Sequence, residues 1–419
     1  MKPVVIIPSY WTDAIREIEE SKPGSYDHAT DIKGTAELDD CLKSLQQVAG
    51  LEQVIILLIA LPGVEEEARV RVEEICARYP SVPSLIVDSR FSRILSERLS
   101  GYLDQVDGEA IALRGYGAIK NLGLCVASIL GHDLVIFLDD DEIVLSEEFL
   151  IDAVYGLGQV TVEGDPVVAK SGYYYDSRNS PYAQLRHAKW YNKRWSKREE
   201  FNAWMNEAQS GPRISRSNIL CGGCFALHAE AYTNVAFDPW ITRGEDLDYL
   251  INLRLYGYEV WFDNMWAVKH MPPRHRSSAP RFMQNVYRWI YEYKKLEYAN
   301  IQIDLNQVTA QSLMPYPGPW VSDDLKSRIT QTALMRSIGT SEKKAYFDIY
   351  TKGIKRATEY AEANTSKYVE FQKIWPDLVK ELWGDVELSQ ALLDLQKSPD
   401  PHEHKTDEDN DAHSIDIDI

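Results

Sequence analysis

The sequence predicts an α/β fold, with a largely parallel sheet covered on both faces by helices and a helical C-terminal extension. Three observations point there. Short, fully apolar runs at 4–7, 54–61 and 134–138 read as strands buried on both faces. Between them lie segments whose apolar residues recur at helical spacing, such as Leu38, Leu42, Leu45 and Val48. Each apolar run stops on turn or acidic residues: Pro8-Ser9, Pro62-Gly63 and Asp139-Asp140-Asp141-Glu142. Strands alternating with helices in this way imply parallel pairing.

Taken in order, 4–7 is the first strand, and 11–34 mix Pro, Gly, Asp and Thr without a period, as an irregular insertion does. A helix is expected over 36–48, a strand over 54–61, a helix over 65–79, and a strand over 83–87 that ends at Asp88. Gly115-Tyr116-Gly117 opens a helix through Leu130, with Gly131 as its stop. The strand at 134–138 then ends on the acids. A helix at 147–155 and a tyrosine-rich strand at 167–175 follow, while the polar, aromatic and basic stretch 176–217 resists assignment. Next come a short strand at 224–227, a helix at 246–255 ending near Gly257, and extended segments at 259–262 and 266–268. From Pro280 the pattern is helical, at 280–299, 323–337, 341–361 and 364–395. Residues 1–275 are thus one expected domain, dividing at 145/146, residues 276–397 a helical region, and the acid-rich 398–419 a disordered tail.

Composition limits what such a fold can do. The 419 residues are 44% hydrophobic, enough for a large core, and carry a formal net charge of -19, which argues against an affinity built on nucleic-acid phosphates. Five cysteines, scattered and odd in number, fit free thiols in a reducing compartment, so a cytoplasmic location is expected. No stretch is long and apolar enough for a transmembrane segment, although peripheral membrane contact stays open.

In open parallel sheets, ligands sit at the carboxyl ends of the strands. Pro8-Ser9-Tyr10, Asp88 and Asp139 to Glu142 all fall at such ends. Four adjacent carboxylates repel one another unless solvated or bound to a shared cation. Alternation along an extended chain turns Asp139 and Asp141 to the same side, where hard oxygen ligands suit Mg²⁺ or Mn²⁺ and the phosphates such ions hold. An exposed acidic loop is the plain alternative.

Three further segments add to this. Lys120 and Asn121, in the first turns of the helix opened by Gly115 and Gly117, offer a cation and an amide to an anion. Arg243-Gly244-Glu245-Asp246-Leu247-Asp248 opens another helix; Asp246 or Glu245 can cap it or act as a general base on an acceptor hydroxyl. His270, just past an apolar segment, can supply an imidazole to the metal or simply close a core edge. Cys221-Gly222-Gly223-Cys224 has the spacing of half a zinc site, yet no second pair lies near, and close approach to a ligand or a tight turn accounts better for the two glycines.

Together these pieces resemble the GT-A fold glycosyltransferases, in particular the inverting family 2-like group, over residues 3–271. Val5-Ile6-Ile7-Pro8-Ser9-Tyr10 is similar to that family's opening strand, 117–123 to its Gly, Ala, Arg, Asn, Gly segment, and Phe137-Leu138-Asp139-Asp140-Asp141 to its Asp-x-Asp stretch. Gly222-Gly223 resembles the glycine pair near the acceptor, Gly244 to Asp248 the catalytic helix, and His270 the late metal histidine. The chain departs from the pattern at Lys120, where Arg is usual, and at 60–63, which lack the common base-recognising Asp.

The resemblance implies a GT-A nucleotide-diphospho-sugar transferase fold with a mixed, Rossmann-like sheet, whose nucleotide half is 1–145 and acceptor half 146–275. It implies a metal-dependent sugar transfer from a nucleotide-diphosphate sugar to a hydroxyl on a saccharide, small molecule or lipid-linked acceptor. Pro8 and Tyr10 would line the nucleoside pocket, Asp139 would face the ribose or the cation, Asp141 and His270 would hold Mn²⁺ or Mg²⁺, and Asp246 would be the base of an inverting displacement. Retaining chemistry uses similar residues and stays open. Asp140 and Glu142 are expected to be scaffold or solvent-facing. A nucleotidyltransferase would want a Gly- and Arg/Lys-rich loop after the first strand, where 8–13 have none; a non-catalytic binding protein would bind neither metal nor nucleotide sugar. The aromatic helical region offers core packing or a homo-oligomer contact.

Overall fold

A computed structural model of the chain describes residues 1–13, 29–104, 106, 108–185, 189–271 and 278–397. The expected disordered tail, most of the insertion at 11–34 and the boundary at 275 lie outside the described residues.

The strands are β1 (Pro3–Thr12), β2 (Thr30–Asp31), β3 (Val54–Ala60), β4 (Ser84–Val87), β5 (Leu134–Phe137), β6 (Glu142–Val144), β7 (Ala169–Tyr175), β8 (Ile214–Arg216), β9 (Phe225–His228) and β10 (Val260–His270). They form one sheet in the order β4-β3-β1-β5-β9-β7-β10-β6, with β2 beside β1 and β8 beside β10. β4, β3, β1 and β5 are parallel, as their apolar runs predict. The remainder is mixed: β9 enters antiparallel to both β5 and β7, and β6 is antiparallel to β10. "Largely parallel" therefore holds for the first half only. No crossover helix leads from β5 straight to a parallel partner, so its neighbour β9 is free to run the other way.

Alternation along β1 explains the layers. Val4 and Ile6 point into one core and Val5 and Ile7 into the other. The second core is roofed by α1 (Glu37–Leu45) and α2 (Glu65–Arg78). The first takes α3 (Ser89–Arg98), α4 (Ser100–Leu103) and α5 (Tyr116–Ile129), buried from Gly117 onward. Two helices, α6 (Phe149–Val154) and α7 (Lys197–Ser210), pack with the second core, and α8 (Ala229–Tyr232) and α9 (Glu245–Leu255) with the first.

The C-terminal region is helical as expected: α10 (Ala279–Ala299), α11 (Leu325–Gly339), α12 (Lys343–Asp348), α13 (Ile354–Leu382) and α14 (Val386–Asp394). It joins the first core rather than standing apart. Trp289 and Trp375 are fully buried there, and α13 grips the end of α8 and the segment after it: Trp375 Nε1 donates to Tyr232 O (2.8 Å), Tyr368 OH to Ala236 O (3.1 Å) and Tyr360 OH to Trp240 O (2.7 Å). Among the described residues, no helix is long and apolar enough to cross a membrane.

Candidate active site

β5 delivers the acid run to the carboxyl edge of the parallel strands, and three contacts fix it there. Ser9 Oγ, near the end of β1, donates to Asp140 Oδ2 (2.7 Å) and is itself held by Trp11 Nε1 (2.9 Å). Glu142 is wholly buried, with Oε2 accepting from the Asp139 backbone N–H (3.0 Å), so it braces the turn and does not face solvent. β6 then pairs with the last residues of β10, placing His270 opposite Glu142, while Met271 N donates to Asp141 O (2.9 Å). This strand pairing brings a histidine from residue 270 to an aspartate at 141. His270 Nε2 lies 3.3 Å from Asp141 Oδ2.

Lys120 comes up from α5. It is 4% exposed, donates to Gly222 O (3.1 Å), lies 3.7 Å from Asp139 Oδ1 and sits 4.4 Å above the Phe137 ring. A buried ammonium so placed balances part of the acid charge. Across the cavity, α9 begins at Gly244, whose φ of +69° favours glycine; a Cβ there would also strike the Arg288 guanidinium. Arg288, from α10, donates to Gly244 O (3.3 Å) and lies 4.0 Å from Asp246 Oδ1. Asp246 Oδ1 also accepts from Leu247 N (2.7 Å). Gly222 and Gly223 form a tight turn closed by Cys224 N donating to Cys221 O (2.9 Å); a side chain at Gly223 would overlap the Glu142 carboxylate.

A cavity of about 250 Å³ gathers these groups. Of the residues expected at the site, Pro8, Lys120, Asp139, Asp141, Gly222, Glu245, Asp246 and His270 line it, joined by Asp140. The others sit elsewhere. Asn121 is a buried strut, bonded to Ala110 O and to both backbone groups of Phe237. Asp88 caps α3 through Arg90 N (2.9 Å) and pairs with the Arg90 guanidinium (2.6 Å). Tyr10 packs in the first core, and Gly223 lies behind the turn, donating to Tyr174 OH (2.8 Å). Tyr116, Tyr174, Arg243 and Arg288 line the cavity without being among the expected site residues. Arg243 stands two residues before Glu245, a local signal that points to it; Arg288 lies in a different helix, and its sequence neighbourhood gives none.

The electrostatics follow from crowding. Loss of solvent raises Asp139, with Lys120 opposing and Asp141 adding to the rise; Asp140 and Glu142 are raised well above the usual carboxylate range, chiefly by burial. Burial and the charge of Asp246 push Glu245 up to about 7 against the pull of Lys120. Burial alone would lower His270, but its hydrogen bond to Asp141 and the charges of Asp141 and Asp139 leave it raised. Asp141 and His270 make a donor pair that fits a hard divalent cation. Among the described residues no three His, Cys, Asp or Glu side chains converge into a closed cage, so a cation here would keep waters and accept substrate oxygens, as Mg²⁺ and Mn²⁺ do.

No family model matches the sequence, and no curated protein is similar to it in sequence. In structure the chain is similar to the mannosyltransferase PcManGT from Pyrobaculum calidifontis, solved with GDP-Man and Mn²⁺, at 14% identity and a TM-score of 0.43 over 89% of this chain and 86% of that one. It is also similar to GalNAc-T7, solved with UDP, GalNAc and Mn²⁺, at 13% identity and a TM-score of 0.38 over 84% of this chain and 57% of that one. Glucosyl-3-phosphoglycerate synthase from Mycobacterium tuberculosis is similar at 16% identity, with a TM-score of 0.36 over 72% of this chain and 79% of that one.

Proposed function

We propose that the chain is a glycosyltransferase that moves a sugar from a nucleoside diphosphate to an acceptor hydroxyl, using a divalent cation and an inverting displacement. The observation that carries this reading is the Asp141–His270 pair, 3.3 Å apart at the carboxyl edge of the parallel strands, in one cavity with Asp139, Lys120 and Asp246. When bound, the cation would draw charge from the departing diphosphate. Lys120, 3.7 Å from Asp139 Oδ1, would oppose the rise that burial gives that carboxyl and hold it in place. Asp246, its Oδ1 fixed by Leu247 N, would take the hydroxyl proton as the acceptor oxygen bonds to the anomeric carbon and the carbon–phosphate-oxygen bond breaks, its electron pair leaving with the diphosphate. Arg288, 4.0 Å away, would help to orient that carboxylate. Five free thiols agree with action in the cytoplasm.

The test is a titration of UDP, GDP, CDP and dTDP, each with Mn²⁺ or Mg²⁺, followed by hydrolysis assays of the matching nucleotide sugars. One nucleotide should bind only with metal. Asp246→Asn should keep that binding while hydrolysis falls about a hundredfold or more, the usual worth of a positioned base. Unchanged hydrolysis would move the proton transfer to Glu245 or point to a retaining course; absence of binding by every nucleotide would overturn the reading.

A further inference from the structure

A second, larger cavity of about 1100 Å³ opens beside the first, and its charge runs against that of the chain. The whole protein carries 64 acidic residues and 45 Lys and Arg, yet among the described residues eight Lys or Arg and two Glu line this space. The bases come from five separate parts of the fold. Lys189 and Lys193 flank a short turn at Trp190–Asn192, and Lys197 and Arg198 begin α7. Arg243 precedes α9, Arg281 and Arg288 lie on α10, and Arg336 on α11. Of the two acids, Glu342 is already occupied by the first turn of α10, accepting from Ala279 N (2.8 Å).

Several of these cations are sheltered. Arg288 is 9% exposed and its buried Nε has no hydrogen-bond partner among the described residues; Arg336 is 6% exposed, with Nε donating to Asn192 Oδ1 (2.9 Å). Burial, and then the charges of Arg288, Arg243, Arg281 and Arg198, lower Lys197 to about 7. Like charges gathered out of water repel, and an anion among them relieves the strain. Trp195, Phe282 and Tyr346 supply an aromatic wall.

Arg243 and Arg288 line both cavities, and Arg288 also lies 4.0 Å from Asp246. A molecule anchored in the basic cavity therefore reaches the proposed base. Resting on the sugar-transfer reading, we propose that this cavity is the acceptor subsite, and that the acceptor is a hydroxylated small molecule bearing a phosphate-type dianion. The anion lies among Arg281, Lys197 and Arg288, and the hydroxyl turns toward Asp246. The phosphate is unchanged by the reaction and serves as the handle.

Calorimetric titration of the full chain with inorganic phosphate and with glycerol phosphate, at constant ionic strength and with the metal–nucleoside diphosphate pair present, tests this. One saturable site for glycerol phosphate is expected. The double variant Lys197→Gln/Arg281→Gln should weaken it at least about tenfold, since charge-assisted contacts are lost, while nucleotide affinity stays within about twofold. Lys193→Glu, at the exposed rim, should weaken it less, with no demand on folding. Silence of both phosphates up to about 10 mM, displacement by the nucleotide, or an undiminished affinity in the double variant overturns the proposal. So does binding to phosphatidic acid vesicles without binding to glycerol phosphate, which would make a lipid headgroup the ligand. Phosphate binding in a protein that binds no nucleotide would overturn the sugar-transfer reading and the acceptor role together, and leave an anion site.

Discussion

Two regions of this molecule bury carboxylates, and they do so differently. Behind the cavity, Asp238 and Asp248 are fully buried around Lys295, whose Nζ lies 2.8 Å from one and 2.5 Å from the other. Tyr291 OH adds a 2.8 Å bond to Asp238, Asn252 one of 2.8 Å to Asp248, and the Tyr368 ring lies 4.1 Å from the ammonium. At the strand ends, Asp139 to Glu142 with Glu245 and Asp246 set six carboxyl groups against Lys120 at 3.7 Å, His270 at 3.3 Å and Arg288 at 4.0 Å. In the first group each aspartate is held by Lys295 and by a hydrogen bond, which ties α9 to α10, while the neighbouring Glu292, fully buried, is raised well above the usual carboxylate range, chiefly by burial and then by Asp248. The second has an excess of negative charge beside open space, which a cation would complete. Burial alone does not separate the two groups; the short bonds from Lys295, Tyr291 and Asn252 to the buried aspartates, against the open space beside the strand-end acids, do.

Removing one acid from the site and one base from the buried cluster should sharpen this contrast. Asp141→Asn should lower metal-dependent turnover by several kcal/mol of lost transition-state stabilisation, on the order of ten-thousandfold. Its stability to urea should hold or rise, because a repelling charge has gone. A variant that unfolds at low urea would place Asp141 with the structural acids and break the comparison. Lys295→Met should do the reverse. With two buried aspartates uncompensated, unfolding free energy should fall by about 3–5 kcal/mol. A midpoint near that of the unaltered chain would mean that the tyrosine and asparagine bonds suffice.

Legibility divides along similar lines. Strands buried on both faces announce themselves, and 134–138 followed by acids places the site at once. Helix α3 is hidden because Asp88 reads as a strand-end ligand, although an Asp before Phe91 and Leu95 is also a helix cap. Two extended segments, 259–262 and 266–268, prove to be one strand with a register shift between Phe262 and Ala267. At the C-terminus the break expected near 362 falls instead beyond α13, where Gly384 takes φ +69°. Residue type foreshadows the His270–Asp141 pair, but its cause, the β6–β10 pairing, is long-range. The basic cavity is illegible for the same reason: its cations come from 189–198, 243, 281–288 and 336, and no window of sequence holds them together.

The smallest effect comes from Glu245, at the edge of the acidic group. Burial, with Asp246 adding and Lys120 opposing, moves its carboxyl from 4.5 to about 7 in the folded state. Between those values the folded protein holds a proton that the unfolded chain has lost, so this group's contribution favours folding below about 4.5 and fades as pH rises through 7. Glu245→Gln removes the titration. Because the side chain is partly exposed and solvent screens it, the expected gain above pH 7 is on the order of 1 kcal/mol. Denaturation midpoints of the unaltered chain and the E245Q variant, followed from about pH 4 to 8, should therefore diverge in favour of the variant as pH rises. Parallel curves would mean that Glu245 ionises freely, and that the excess negative charge is confined to the strand-end acids and Asp246.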